Sequence, residues 1–102
     1  MIDLALIVSG VITQYPNPGH QAWDIACPKG ALVHAAFDGT TRVHRDGRLG
    51  TQITLVGQEH RALYAHLEEA FPVGPVKEGD AIGVCGNTGA WSTGRHLHFE
   101  LY

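Results

Sequence analysis

The run His96-Leu97-His98-Phe99-Glu100-Leu101 alternates polar and apolar residues without a break. In an extended chain this period sends His96, His98 and Glu100 to one face and Leu97, Phe99 and Leu101 to the other. The two imidazoles then stand about 6 to 7 Å apart, near enough for one to ligate a metal while the other acts beside it. The pattern also fits polar residues on the wet face of a half-buried strand, and a two-residue motif does not separate these readings. His20-Gln21-Ala22-Trp23-Asp24 is a second candidate. Pro16, Pro18 and Gly19 argue there for a loop running into a strand. Such a loop can converge an imidazole and a carboxylate, or leave His20 on the surface and Asp24 in a turn. Histidine nitrogen with carboxylate oxygen suits zinc, which in catalytic sites takes three protein ligands and keeps one position open. His20, Asp24 and His98 would supply that number.

The third candidate is Leu63-Tyr64-Ala65-His66-Leu67. Period two puts Tyr64 and His66 on one face and Leu63, Ala65 and Leu67 on the other, so His66 is expected to face a cleft or to form a polar cross-strand pair with its neighbour. A neutral imidazole in a cleft takes a proton from water or steadies an oxyanion, the two tasks that cleavage of a peptide bond requires. His34, His44 and His60 read as strand or turn surface. Cys27 and Cys85 form no C-x-x-C, and a single pair leaves open whether they are bridged.

The elements that must hold these groups read as strands. Glycine, proline and Asp-Gly signals recur at short spacing, and no segment between them carries an amphipathic helical period. Expected strands are Leu4–Val8, Ala31–Ala36, Thr40–His44, Gln52–Val56, Ala62–His66, Ala81–Cys85 and Leu97–Tyr102, with a weak helical hint only at Glu68–Ala70. Asp38-Gly39 and Asp46-Gly47 are expected to turn because glycine accepts positive φ. Seven short strands make an all-β, sandwich or barrel-like antiparallel domain. A length of 102 residues, 44% of them hydrophobic, suits one domain, residues 1–102. A net charge of −3 provides no basic surplus for nucleic acid. No apolar run approaches the roughly 18 residues of a membrane helix, and Asp3 stands where a signal peptide would be basic.

Taken together and in this order, the motifs resemble the lysostaphin-type, or LytM-type, zinc metalloendopeptidases. The resemblance rests on His20-x-x-x-Asp24, Tyr64-Ala65-His66-Leu67 and His96-Leu97-His98-Phe99-Glu100. It extends to the joining segments Val76-Lys77-Glu78-Gly79-Asp80-Ala81-Ile82-Gly83 and Gly86-Asn87-Thr88-Gly89. It implies a compact antiparallel fold of the duplicated hybrid motif type, acting as a monomeric zinc enzyme on peptides of bacterial peptidoglycan at the cell wall, with no membrane span. By position His20, Asp24 and His98 are the implied zinc ligands, and His66 and His96 the implied catalytic histidines. Tyr64, Trp91 and Arg95 are expected at the substrate groove. Ala22 departs from the glycine usual in this family's H-x-G-x-D, so its backbone must avoid positive φ or bear a steric cost. With no signal peptide visible, the chain is expected to be phage-encoded, as a lysin, or an excised domain of an exported protein.

Three rival readings exist. A catalytically silent LytM-like binding or activator module would lose ligands, and this chain keeps all five polar residues. A biotinyl or lipoyl carrier, suggested by Val76 to Gly83, needs a lysine on an exposed turn, which Lys29 and Lys77 do not occupy. A structural zinc site would need a closed set of four ligands, and Cys27 and Cys85 do not extend the three.

Overall fold

A computed structural model of the chain describes residues 7–18, 22–88 and 94–102. Among them the architecture is all strand: β1 (Val11–Gln14), β2 (Ala22–Ala26), β3 (Leu32–His34), β4 (Gly39–Asp46), β5 (Gly50–Val56), β6 (Arg61–Ala70), β7 (Pro75–Val76), β8 (Ala81–Cys85) and β9 (His96–Leu101). All pairings are antiparallel, in the order β1-β2-β9-β6-β5-β4-β7, with β8 joined to β6 and β3 joined to β8.

The sheet branches at β6, whose ten residues are enough to serve two partners. Its first half pairs with β9, from Ala62↔Leu101 to Ala65↔His98, and its second half pairs with β8, from Leu67↔Cys85 to Ala70↔Gly83. Its other edge pairs with β5 from Arg61↔Val56 to Leu67↔Thr51. Period-two burial follows: Ile53 and Leu55 of β5, Ala62 and Tyr64 of β6, and Leu97 and Phe99 of β9 turn inward and are almost wholly buried. Ile25, Val33, Ile82 and Cys85 join the same cluster, so both branches enclose one core. Cys27 and Cys85 form a disulfide with 6.6 Å between Cα atoms, tying the end of β2 to the end of β8.

Several expectations are corrected. Residues 4–6 of the expected Leu4–Val8 strand lie outside the described residues. Ile7 and Val8 are buried but not in a strand, and the first strand among the described residues is Val11–Gln14. The helical hint at Glu68–Ala70 is the end of β6, where pairing with β8 overrides weak local preference. Neither Gly39 nor Gly47 has positive φ; in the β4–β5 hairpin that conformation falls at Gly50. Gly39 is needed for space instead, because a Cβ there would overlap the carbonyl of Val56. Ala22 opens β2 without positive φ, so the missing glycine causes no strain.

Candidate functional site

Asp24 on β2 lies directly opposite His98 on β9, with Ala26 opposite His96 and Ala22 opposite Glu100. Directly opposed residues project to the same side. His96, His98, Glu100 and Asp24 therefore share the face turned away from the core. The Nε2–H of His98 donates to Glu100 Oε2 at 2.7 Å, and the hydroxyl of Tyr102 donates to Glu100 Oε1. That bond places the proton of a neutral His98 on Nε2 and the lone pair on Nδ1, which lies 3.3 Å from Asp24 Oδ1. An imidazole nitrogen and a carboxylate oxygen are both of the kinds that can ligate a metal. A tetrahedral ion with bonds of about 2.0 to 2.1 Å separates its ligands by about 3.3 Å, so the pair fits zinc. A carboxylate behind a ligating imidazole is the usual support of such a ligand, and Glu100 occupies that place.

His66 joins them by breaking the strand's alternation. Between the pairs Thr51↔Leu67 and Ile53↔Tyr64, two residues of β6 face one of β5, a bulge in which His66 has φ of 62°. The bulge falls where β6 passes from β9 to β8, and it re-aims the side chain. Tyr64 and Leu67 are both in the core, whereas the His66 ring sits 4.9 Å from that of His96 and 5.8 Å from that of His98. The His66 N–H donates to Leu49 O at 2.9 Å, and its Nδ1–H donates to Thr88 O at 2.6 Å. Thr88 is itself fixed, its hydroxyl donating to Leu67 O and accepting from the Thr51 N–H. His66 is only 2% exposed. Burial, reinforced by the neighbouring His96 and His98, outweighs the Thr88 bond and lowers its pKa, favouring a neutral ring with a lone pair on Nε2. His96 has the same tautomer when neutral, with Nδ1–H donating to Gly94 O at 2.8 Å and Nε2 3.9 Å from Asp24 Oδ1.

Asp24, His66, His96 and His98 thus converge. His20 and Trp91 lie outside the described residues. Among the described residues no group of three metal-ligating side chains closes on one point. Tyr64 does not line a groove: its ring packs 5.2 Å from Phe99 in the core and its hydroxyl accepts from the Ala36 N–H, because the bulge uncouples it from His66. Arg95 is held by Glu68 Oε1 at 3.3 Å and Cys85 O at 3.2 Å, bracing the segment before β9. Sequence reading missed the supporting roles of Thr88, Leu49 and Tyr102. Glu100 was detectable, because alternation already placed it beside His98.

Residues 18–102 match the profile of the family described as Peptidase family M23. A protein of Haemophilus influenzae named as an uncharacterized metalloprotease is 35% identical over 88 residues, which are 81% of this chain and 18% of that protein. A protein of Buchnera aphidicola with the same name is 36% identical over 90 residues, 84% of this chain and 24% of its own length. The chain therefore spans about a fifth of the length of these curated relatives. A zinc-containing peptidase from Vibrio cholerae superposes with a TM-score of 0.76 at 30% identity, over 98% of this chain and 34% of that one. The catalytic domain of the antimicrobial peptidase lysostaphin from Staphylococcus simulans does so at 0.74 and 33%, over 92% and 77%.

Proposed function

The chain belongs to peptidase family M23, and from that premise we propose that residues 1–102 form a monomeric, zinc-dependent endopeptidase domain that hydrolyses peptide bonds in bacterial peptidoglycan. His20, Asp24 and His98 are the proposed ligands, and His66 and His96 the assisting histidines. The observation that carries this reading is the opposition of His98 Nδ1 and Asp24 Oδ1 at 3.3 Å with Glu100 behind the imidazole. The Vibrio cholerae neighbour contains zinc and the lysostaphin neighbour is an antimicrobial peptidase, which supports both the metal and the substrate class. The disulfide suits action in an oxidising compartment at the cell wall.

When bound, zinc supplies Lewis-acid polarisation of the scissile carbonyl and makes water acidic enough to lose a proton near neutrality. The protein's own groups supply the rest. His66, held neutral by burial and anchored through Nδ1 to Thr88, offers Nε2 to accept the proton of the attacking water. His96, anchored through Nδ1 to Gly94, donates from a protonated Nε2 to the oxyanion that develops on the carbonyl oxygen. Glu100 holds His98 in the ligating tautomer.

The test measures new amino groups released from purified sacculi of several cross-link types, with zinc, with chelator and with His98→Ala. Chelator-sensitive release that His98→Ala lacks, together with loss of stoichiometric zinc, is the expected outcome. Full activity of His98→Ala with one zinc bound overturns the ligand assignment. Tight zinc binding with no release from any wall type replaces the peptidase by a binding module that retains its metal.

A further inference from the structure

The face that carries the metal pair extends well past it. Pairing aligns Glu100 with Leu63, Leu63 with Thr54 and Thr54 with Arg42, a single row across β9, β6, β5 and β4. The adjoining row sets Arg61 opposite Val56 and Val56 opposite Thr40, so Arg61 shares that face with Arg42. The two arginines line a concavity of about 650 Å³, together with Thr40, Thr54 and His44, the last of which sequence reading left as plain surface. No carboxylate lines it among the described residues. The guanidinium of Arg61 lies 4.8 Å over the ring of Tyr102, and neither arginine makes an ion pair among the described residues.

We propose that Arg42 and Arg61 form a subsite for a carboxylate on the peptide substrate. This deepens the endopeptidase reading and rests on it for the direction in which substrate lies. Two guanidinium forks, with the hydroxyls of Thr40 and Thr54 beside them, match the planar, two-oxygen acceptor of a carboxylate. A polyanion suits the surface less well, because the chain carries a net charge of −3 and the row leads back to Glu100. Three strand spacings separate the Glu100 position from Arg42, about 14 Å. The Asp24–His98 pair lies two residues further along the strands and reaches onto β2, and an extended peptide advances about 3.3 Å per residue, so the recognised carboxylate falls about five to six residues from the bond that is cut. Leu63 and Thr54, both half-buried, floor the strip between.

The experiment compares two cross-linked peptidoglycan fragments that are identical except that one has its free carboxyls amidated, using the zinc-loaded full chain. The free-acid fragment is expected to have the higher kcat/KM by about tenfold, carried by KM, and the double variant Arg42→Gln, Arg61→Gln to abolish that ratio. A parent protein with no preference, or a variant that keeps it, overturns the subsite. If neither fragment is cleaved, the endopeptidase reading alone fails, and equilibrium binding of the same two fragments decides the subsite by the same ratio. Arginine-dependent binding of a phosphate-bearing wall polymer tighter than that of the free-acid fragment overturns the carboxylate in favour of a polyanion.

Discussion

At the scale of single residues, His66 is the position where local preference is overridden. A φ of 62° at a residue with a Cβ costs of order 1 kcal/mol or more, and such strain persists only where surrounding bonds hold it. Here Leu49 O takes the backbone N–H and Thr88 O takes the ring. Because His66 is 5.8 Å from the His98 ring and acts on protons in this reading, His66→Ala is expected to keep stoichiometric zinc and lose about 10² to 10⁴ in rate, checked by metal analysis alongside turnover. Loss of the metal instead would make His66 a ligand. Glu100→Gln is expected to weaken zinc affinity about 10- to 100-fold, measured by competition with a chelating indicator, because His98 loses the carboxylate that fixes its tautomer. Residue types and strict alternation made His96, His98 and Glu100 legible as one polar face. The sharing of a face by Tyr64 and His66 was not legible correctly, since no glycine marks the bulge and its cause is the passage of β6 from one partner strand to another.

At the scale of elements, the β4–β5 hairpin supports the site from behind. Asp46 Oδ1 accepts from the N–H groups of Arg48 at 2.9 Å and Leu49 at 2.7 Å, and Oδ2 accepts from Gln52 Nε2 at 2.9 Å. The turn so fixed presents Leu49 O to His66. The Leu49 bond leads the interactions that hold the Asp46 carboxyl below its ordinary value of 3.8. A carboxyl lowered in the folded state adds stability above its unfolded pKa and loses it as pH falls through the folded one. Asp46→Asn should therefore melt below the parent at neutral pH, with the gap closing as the pH drops below 3.8 and the parent carboxyl protonates. A gap that persists undiminished in acid would assign the effect to geometry rather than charge. Most strands were legible because apolar and β-branched residues alternate between turn signals. β1 was not, since Val11–Gln14 lies almost wholly exposed and is held by pairing with β2 rather than by burial. Ile7 and Val8, apolar enough to read as strand, are buried outside any strand, with Ile7 O accepting from the His34 N–H at 2.7 Å.

At the scale of the whole molecule, the two branches of the sheet meet in one core and are joined by the Cys27–Cys85 bridge. With the cysteines 58 positions apart, the chain-entropy argument gives about 4 kcal/mol of stabilisation, so Cys27→Ala with Cys85→Ala is expected to lower the free energy of unfolding by an amount of that order, read as a lower denaturant midpoint. A midpoint unmoved by both substitutions would mean that the bridge adds no net stability to the packed branches. The pairing itself was not legible, because two cysteines far apart in sequence carry no spacing signal until the strands that bear them are placed. The bridge also divides the chain unevenly: Asp24 and His98 lie outside the stretch it encloses, and His66 lies inside. A protease that nicks the exposed hairpin tip at Gly47 or Arg48 would leave one covalently continuous molecule, and reduction would then release two fragments, with Asp24 on one and both His66 and His98 on the other.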